Sequence, residues 1–125
     1  MDIDRTGIIL HVERYDACVA FYRDCIGLPV EFEKKEPGQV LTILTFGGAY
    51  LMIEPGGVTR HATKTDAENP TVIRINITGI DAAAAELAKR GVDVSVTRFD
   101  WGAVADFHDP DGNRCQLREV ASFGR

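Results

Sequence analysis

Apolar positions run along this chain in two alternating rhythms. Ile8-Ile9-Leu10-His11-Val12 is a short β-branched run and predicts a strand. Between Tyr15 and Ile26, Cys18, Phe21, Tyr22 and Cys25 fall at i, i+3, i+4 and i+7, the stripe of an amphipathic helix that Gly27 then stops. Leu28–Glu33, Val40–Phe46 and Ala49–Glu54 read as strands, divided by turns at Pro37-Gly38 and Gly47-Gly48. Pro55 to Pro70 has no period and is rich in Gly, Thr, Lys and Asp, so it reads as a linker, long enough to be a junction or a lid. Val72–Ile77 then predicts a strand. Asp81–Arg90 predicts a helix, with Asp81 placed to cap it and Gly91 to end it. Val92–Val96, Val104–Phe107 and Asn113–Val120 supply three more strands, the last two joined by the tight turn Asp109-Pro110-Asp111-Gly112.

The order βαβββ thus occurs twice. A shift of 64 residues places Gly27 on Gly91, Val30 on Val94, Gly38 on Gly102, Val40 on Val104 and Gly48 on Gly112. Helices, turns and strands agree together, which marks an internal repeat. Each half alone leaves one sheet face wet; two halves bury it or leave a cleft. The expected fold is α+β: two βαβββ modules, about residues 6–54 and 71–120 with a linker at 55–70, whose curved mixed sheets form an open, barrel-like cleft.

Composition narrows the function. The chain has 125 residues, the size of one domain, and 45% are hydrophobic, enough for a packed core without a metal or disulfide. A net charge of -5 argues against a nucleic-acid partner. The acidic start Met1-Asp2-Ile3-Asp4-Arg5 is unlike a signal peptide, and no apolar run reaches membrane-spanning length. Three cysteines, an odd number, suit a reducing compartment, so a cytoplasmic protein is expected. Cys18 and Cys25, about 10 Å apart on one helix, are too distant to bond. Gly47-Gly48 and Gly56-Gly57 lack the spacing of a phosphate-cradling loop.

Val12 with Ala20-Phe21-Tyr22-Arg23-Asp24 and Ile26-Gly27-Leu28, together with Asp109-Pro110-Asp111-Gly112-Asn113 followed by Gln116-Leu117, resembles the vicinal oxygen chelate superfamily, also called the glyoxalase/bleomycin resistance/extradiol dioxygenase superfamily. The resemblance covers Thr6 to Val120. It implies paired βαβββ modules around a cleft and a homodimer. Function stays open, because this fold hosts lyases, isomerases, transferases, dioxygenases and drug-binding proteins.

The resemblance also sets a metal test. In metal-using members the ligand places correspond to Gly7, Met52, Val72 and Gln116 here. Gly and Val carry no donor atom, Met is soft for the hard ions such sites use, and one glutamine does not hold a divalent ion. No cofactor is therefore expected. An alternative donor set is His11, Glu54 and Glu119. His11 and Glu54 lie an even number of residues from the family places and share their strand face, whereas Glu119 lies three beyond Gln116 and is expected to face away.

By the same parity, apolar Ile9, Met52 and Val72 and polar His11, Glu54, Arg74, Asn76, Gln116 and Arg118 line the cleft, with Trp101 on a glycine-flanked loop at its mouth. Of these, His11, Met52, Glu54, Arg74, Asn76, Trp101, Gln116 and Arg118 are the candidate ligand-binding residues. Each has a plainer reading. His11 is equally a hydrogen-bonded core histidine or a strand-end residue, Met52 core, Arg74 with Glu54 a structural pair, Arg118 a solvated strand-edge charge and Trp101 a cap on the sheet or a dimer-interface residue. Tyr50 and Phe107 read as core and His61 as surface. His108 beside Asp106 and Asp109 is a relay or a strand end. Without a placed Ser or Cys nucleophile, no residue is assigned as catalytic.

Three functions compete. The favoured one is a metal-independent binder of an antibiotic or metabolite, comparable to the bleomycin-binding branch. The second is a metal-dependent lyase, isomerase or dioxygenase using His11 and Glu54 with Gln116 or Glu119. The third is a metal-free enzyme with His11 or Glu54 as general base. Whether the protein is an enzyme stays open at this point.

Overall fold

The structure, a computed structural model, describes residues 1–119. In chain order the elements are β1 Gly7–Val12, α1 Tyr15–Ala20, a π-helical turn Phe21–Ile26, β2 Val30–Glu36, β3 Gln39–Phe46 and β4 Ala49–Pro55. After a long connection come β5 Ile73–Ile77, α2 Ile80–Lys89, β6 Ser95–Phe99, β7 Gly102–His108 and β8 Arg114–Glu119. Val120, expected to end the last strand, lies outside the described residues. The chain forms two compact units, Met1–Thr59 and a second beginning at Arg60, so the boundary falls inside the expected linker.

In the first unit the sheet order is β1-β4-β3-β2, with β1 parallel to β4 and the other pairs antiparallel. One sheet face is covered by the helix: Leu10, Val12, Leu44, Leu51 and Ile53 are buried together with Cys18, Phe21 and Tyr22. The expected single helix over Tyr15–Ile26 divides in two. Past Ala20 the hydrogen bonding widens, and the amide of Gly27 reaches back to the Tyr22 carbonyl. The apolar stripe survives that change through Tyr22, although Cys25 is only half-buried. β2 starts later and runs further than its pattern suggests. A register irregularity between Val30 and Phe32 breaks the simple alternation there.

The second unit repeats the order as β5-β8-β7-β6, again with one parallel pair. Its core joins Ile73, Ala103, Ala105, Phe107, Cys115 and Leu117 to Ile80, Ala84 and Leu87 of α2. Asp81 does not cap α2. Gly79 holds the cap position with no side-chain bond, and Asp81, one residue inside the helix, pairs with Arg98. β6 begins at Ser95, where pairing with Asp106 begins, three residues later than the pattern suggested.

Both sheets are mixed, four-stranded and open, as an α+β fold of two βαβββ modules requires. The uniform 64-residue shift needs correction. With Met52 matched to Gln116, strand pairing matches Ile9 to Arg74, Ile43 to Asp106 and Phe32 to Ser95. The offset is thus 65 on one side of the central strand and 63 on the other, because the loops differ in length. Among the described residues no helix is long and apolar enough to cross a membrane.

Candidate functional site

Each sheet covers one face with its helix and leaves the other open. On the open face of the first sheet, pairing aligns Ile9, Met52, Ile43 and Phe32 in a row across all four strands. Ile9 and Phe32 are about half exposed. The adjacent row begins with His11 and Glu54, whose Nε2 and Oε1 lie 3.8 Å apart. That is too long for a hydrogen bond and becomes an ion pair when the imidazole is protonated. His11 is therefore an exposed open-face residue and not a core histidine.

Tyr50 corrects its expected place in the core. It is half-buried on the open face, and its ring lies where a Cβ on Gly7 would go. Arg5 stands 5.5 Å from the ring centre, grips Glu31 with two bonds of 2.8 and 2.7 Å, and donates to the Ala49 carbonyl at 2.7 Å. The Arg5 bond holds the Glu31 carboxyl below its ordinary pKa. Arg5, Glu31, Phe32, Ile43 and Tyr50 line a shallow cavity of about 430 Å³.

The equivalent row of the second sheet is polar. Arg74, Gln116, Asp106 and Ser95 are paired neighbours on β5, β8, β7 and β6. Arg74 Nε donates to Gln116 Oε1 at 2.7 Å, and Gln116 Nε2 donates to Asp106 Oδ1 at 2.8 Å. Because a guanidinium only donates, Gln116 must turn its oxygen to Arg74, which leaves its amide nitrogen for the aspartate. The glutamine thus fixes both neighbours. Next to this row, Arg118 lies 4.4 Å from the Trp101 ring centre, and Trp101 stacks on Phe99 at 4.8 Å with an interplanar angle of 8°. Trp101 remains 47% exposed. Arg118 is half-buried against this stack, so its reading as a solvated charge is corrected.

A cavity of about 540 Å³ adjoins the polar row, lined among others by Thr63, Val72, Ser95, Asp106, His108 and Gln116. His108 closes β7, and its Nδ1 lies 2.8 Å from the Asp109 carbonyl oxygen. A carbonyl only accepts, so Nδ1 carries the proton. Asp106, expected as a possible relay partner of His108, instead receives Gln116.

Part of the aperiodic segment read as a linker, junction or lid is a strap tied to the last turn. Arg60 N and Lys64 N donate to the carbonyls of Asp111 and Gly112, while Lys64 Nζ and Asn69 Nδ2 both donate to Asn113 Oδ1 at 2.9 Å. The Asp109 carboxylate, fully buried, accepts from Asp111 N, Asn113 N and Asn113 Nδ2, each at 2.9 Å. Arg114 clasps Asp66 and the Asn69 carbonyl. The connection is thus a tied wall of the second unit, and Ala62 and Thr63 from it line the cavity. Asp106, Ser95, Phe99 and this strap are the neighbourhood that sequence reasoning did not assign. For the first three, strand parity from Gln116 and Trp101 was the available signal.

The four places that correspond to metal ligands in relatives do not suit an ion. Gly7 lies under the Tyr50 ring, Met52 belongs to an apolar row, Val72 has no donor and Gln116 is held at both ends. Glu119 faces the helix side, where its Oε1 accepts from Ile80 N at 3.3 Å. Among the described residues no three His, Cys, Asp or Glu side chains gather around one point.

Residues 3–117 match the Glyoxalase/Bleomycin resistance protein/Dioxygenase superfamily, and the chain belongs to that family. The uncharacterized protein YraH of Bacillus subtilis is 26% identical over 122 residues, covering 90% of this chain and 95% of that one. Two solved structures share the fold. One is TnmS3, an antibiotic binding protein from Streptomyces sp. CB03234, with a TM-score of 0.73, 21% identity and coverage of 95% of this chain and 98% of that one. The other is a lactoylglutathione lyase from Agrobacterium tumefaciens, with a TM-score of 0.73, 22% identity and coverage of 99% and 98%.

Proposed function

We propose that this protein is a metal-independent small-molecule-binding protein that sequesters an antibiotic or another metabolite. The observation that carries this reading is the Arg74–Gln116–Asp106 row beside the Phe99–Trp101–Arg118 stack: fixed polar groups next to exposed aromatic surface, as small-molecule sites present. The donor-poor ligand places support metal independence, since a glycine beneath a tyrosine ring has nothing to offer an ion. TnmS3, an antibiotic binding protein, shows that the fold can serve such a role. His11, Met52 and Glu54 act as contacts on the first sheet, and Arg74, Asn76, Trp101, Gln116 and Arg118 on the second. A homodimer and a cytoplasmic setting complete the reading; the odd number of cysteines, three, suits the second.

Protein expressed with Zn, Ni, Mn and Fe supplied should show no stoichiometric metal by elemental analysis. Its melting temperature should rise with some member of a panel of aromatic and glycopeptide antibiotics. A stoichiometric ion with no response to the panel would instead favour a metal-dependent lyase, isomerase or dioxygenase centred on the neighbouring His11 and Glu54.

A further inference from the structure

We propose that the open face of the second sheet takes a planar aromatic carboxylate, anchored by Arg74. This deepens the small-molecule reading and rests on it. In the second unit Arg60 meets Glu68, Arg90 meets Glu86, Arg98 meets Asp81 and Arg114 meets Asp66. Arg74 differs. Its partner is the neutral amide of Gln116, and among the described residues its two terminal nitrogens carry no bond. Its Nε is fixed while its outer fork stays open on an exposed strand face. A planar guanidinium held in this way presents parallel N–H donors that match a carboxylate. Asp106 cannot neutralise it directly, because Gln116 stands between them with its amide committed to Oδ1.

The aromatic part of the ligand follows from the next row. Arg118 lies two residues beyond Gln116 on β8, about 7 Å along the strand, and its guanidinium packs on Trp101, itself stacked on Phe99. Asn76 follows Arg74 on the same face and pairs with Arg118. A fused ring system seated on Arg74 would run across β8 toward that stack. It would place its carboxylate on Arg74 and its apolar edge against exposed Phe99 and Trp101.

The test is calorimetric titration of the full chain with three matched probes: 2-naphthoate, methyl 2-naphthoate and 2-naphthylmethylammonium. Naphthoate should bind about tenfold more tightly than the ester, the effect of one charge-assisted pair. Arg74→Gln should bring the acid down to the ester's affinity, and Arg74→Lys should recover only part of the difference. Gln116→Glu should remove binding of the acid, because a carboxylate at that place pairs with Arg74. Melting curves of each variant check that the fold persists. Equal affinity for acid and ester overturns the anchor but leaves the small-molecule reading standing. So does preference for the ammonium probe, which would point to the Asp106 side of the row. Binding of none of the three overturns the anchor, and the small-molecule reading falls with it only if the antibiotic panel also leaves the melting temperature unchanged.

Discussion

Two glycines in the first unit sit against different kinds of obstacle. A Cβ on Gly57 would overlap the main-chain carbonyl of His11 and come within 3.0 Å of Val12 Cα, and a paired strand cannot step aside. The three atoms nearest a Cβ on Gly7 all belong to the Tyr50 ring, a side chain that can swing toward solvent. Gly57→Ala should therefore destabilise by about 2–3 kcal/mol and Gly7→Ala by about 1 kcal/mol. Urea denaturation measures both, and the reverse order would contradict this packing. Gly7→Glu, which restores a donor at the family place, should displace Tyr50 and lower stability without creating an ion site. Strand parity alone was enough to put Ile9 and His11 on the open face. It did not identify the partner of Arg74, because hydrogen bonding across strands depends on register, and one residue of drift in loop length decides it.

At the level of elements, the strap and the turn it embraces are the clearest unit. Asp109→Ala would leave three buried donors without their acceptor, and a loss of roughly 3 kcal/mol is expected by denaturation. Gly112 is part of the same knot: its φ is +88°, and a Cβ would overlap the Ala62 carbonyl. The strap also has a pH signature. The Thr65 backbone N–H, then its hydroxyl, and Arg60 hold the Glu68 carboxyl below its ordinary pKa. A depressed carboxyl contributes to folding above its ordinary range, and that contribution fades as pH falls through the lowered value. The protection factor of the Thr65 amide, taken relative to intrinsic exchange at each pH, should therefore fall on acidification, and Glu68→Gln should remove that pH dependence. An unchanged pH profile in that variant would contradict the role given to Glu68. Composition marked this segment only as aperiodic, since its order comes from side-chain bonds to residues some 45 positions away. The helix stripe, by contrast, was legible because Tyr22 and Cys18 sit one turn apart whatever the tertiary context. The π-helical widening after Ala20 leaves no mark in the pattern.

Across the whole molecule, repetition of βαβββ was readable because turns and strands recur together. What the repeat conceals is that the two units have diverged in the same place. The row through the central strand is Ile9, Met52, Ile43 and Phe32 in one and Arg74, Gln116, Asp106 and Ser95 in the other. The two sheets keep one backbone plan and differ in the chemistry of that row, which is why fold recognition outran the assignment of function. On this account side chains alone, without an ion, hold the ligand. The most direct check is to measure 2-naphthoate affinity on chelator-treated protein and again with added Zn, Ni, Mn or Fe ions. The account predicts the same affinity in both. Binding that appears only when a metal is restored, with one ion retained per chain, would contradict it.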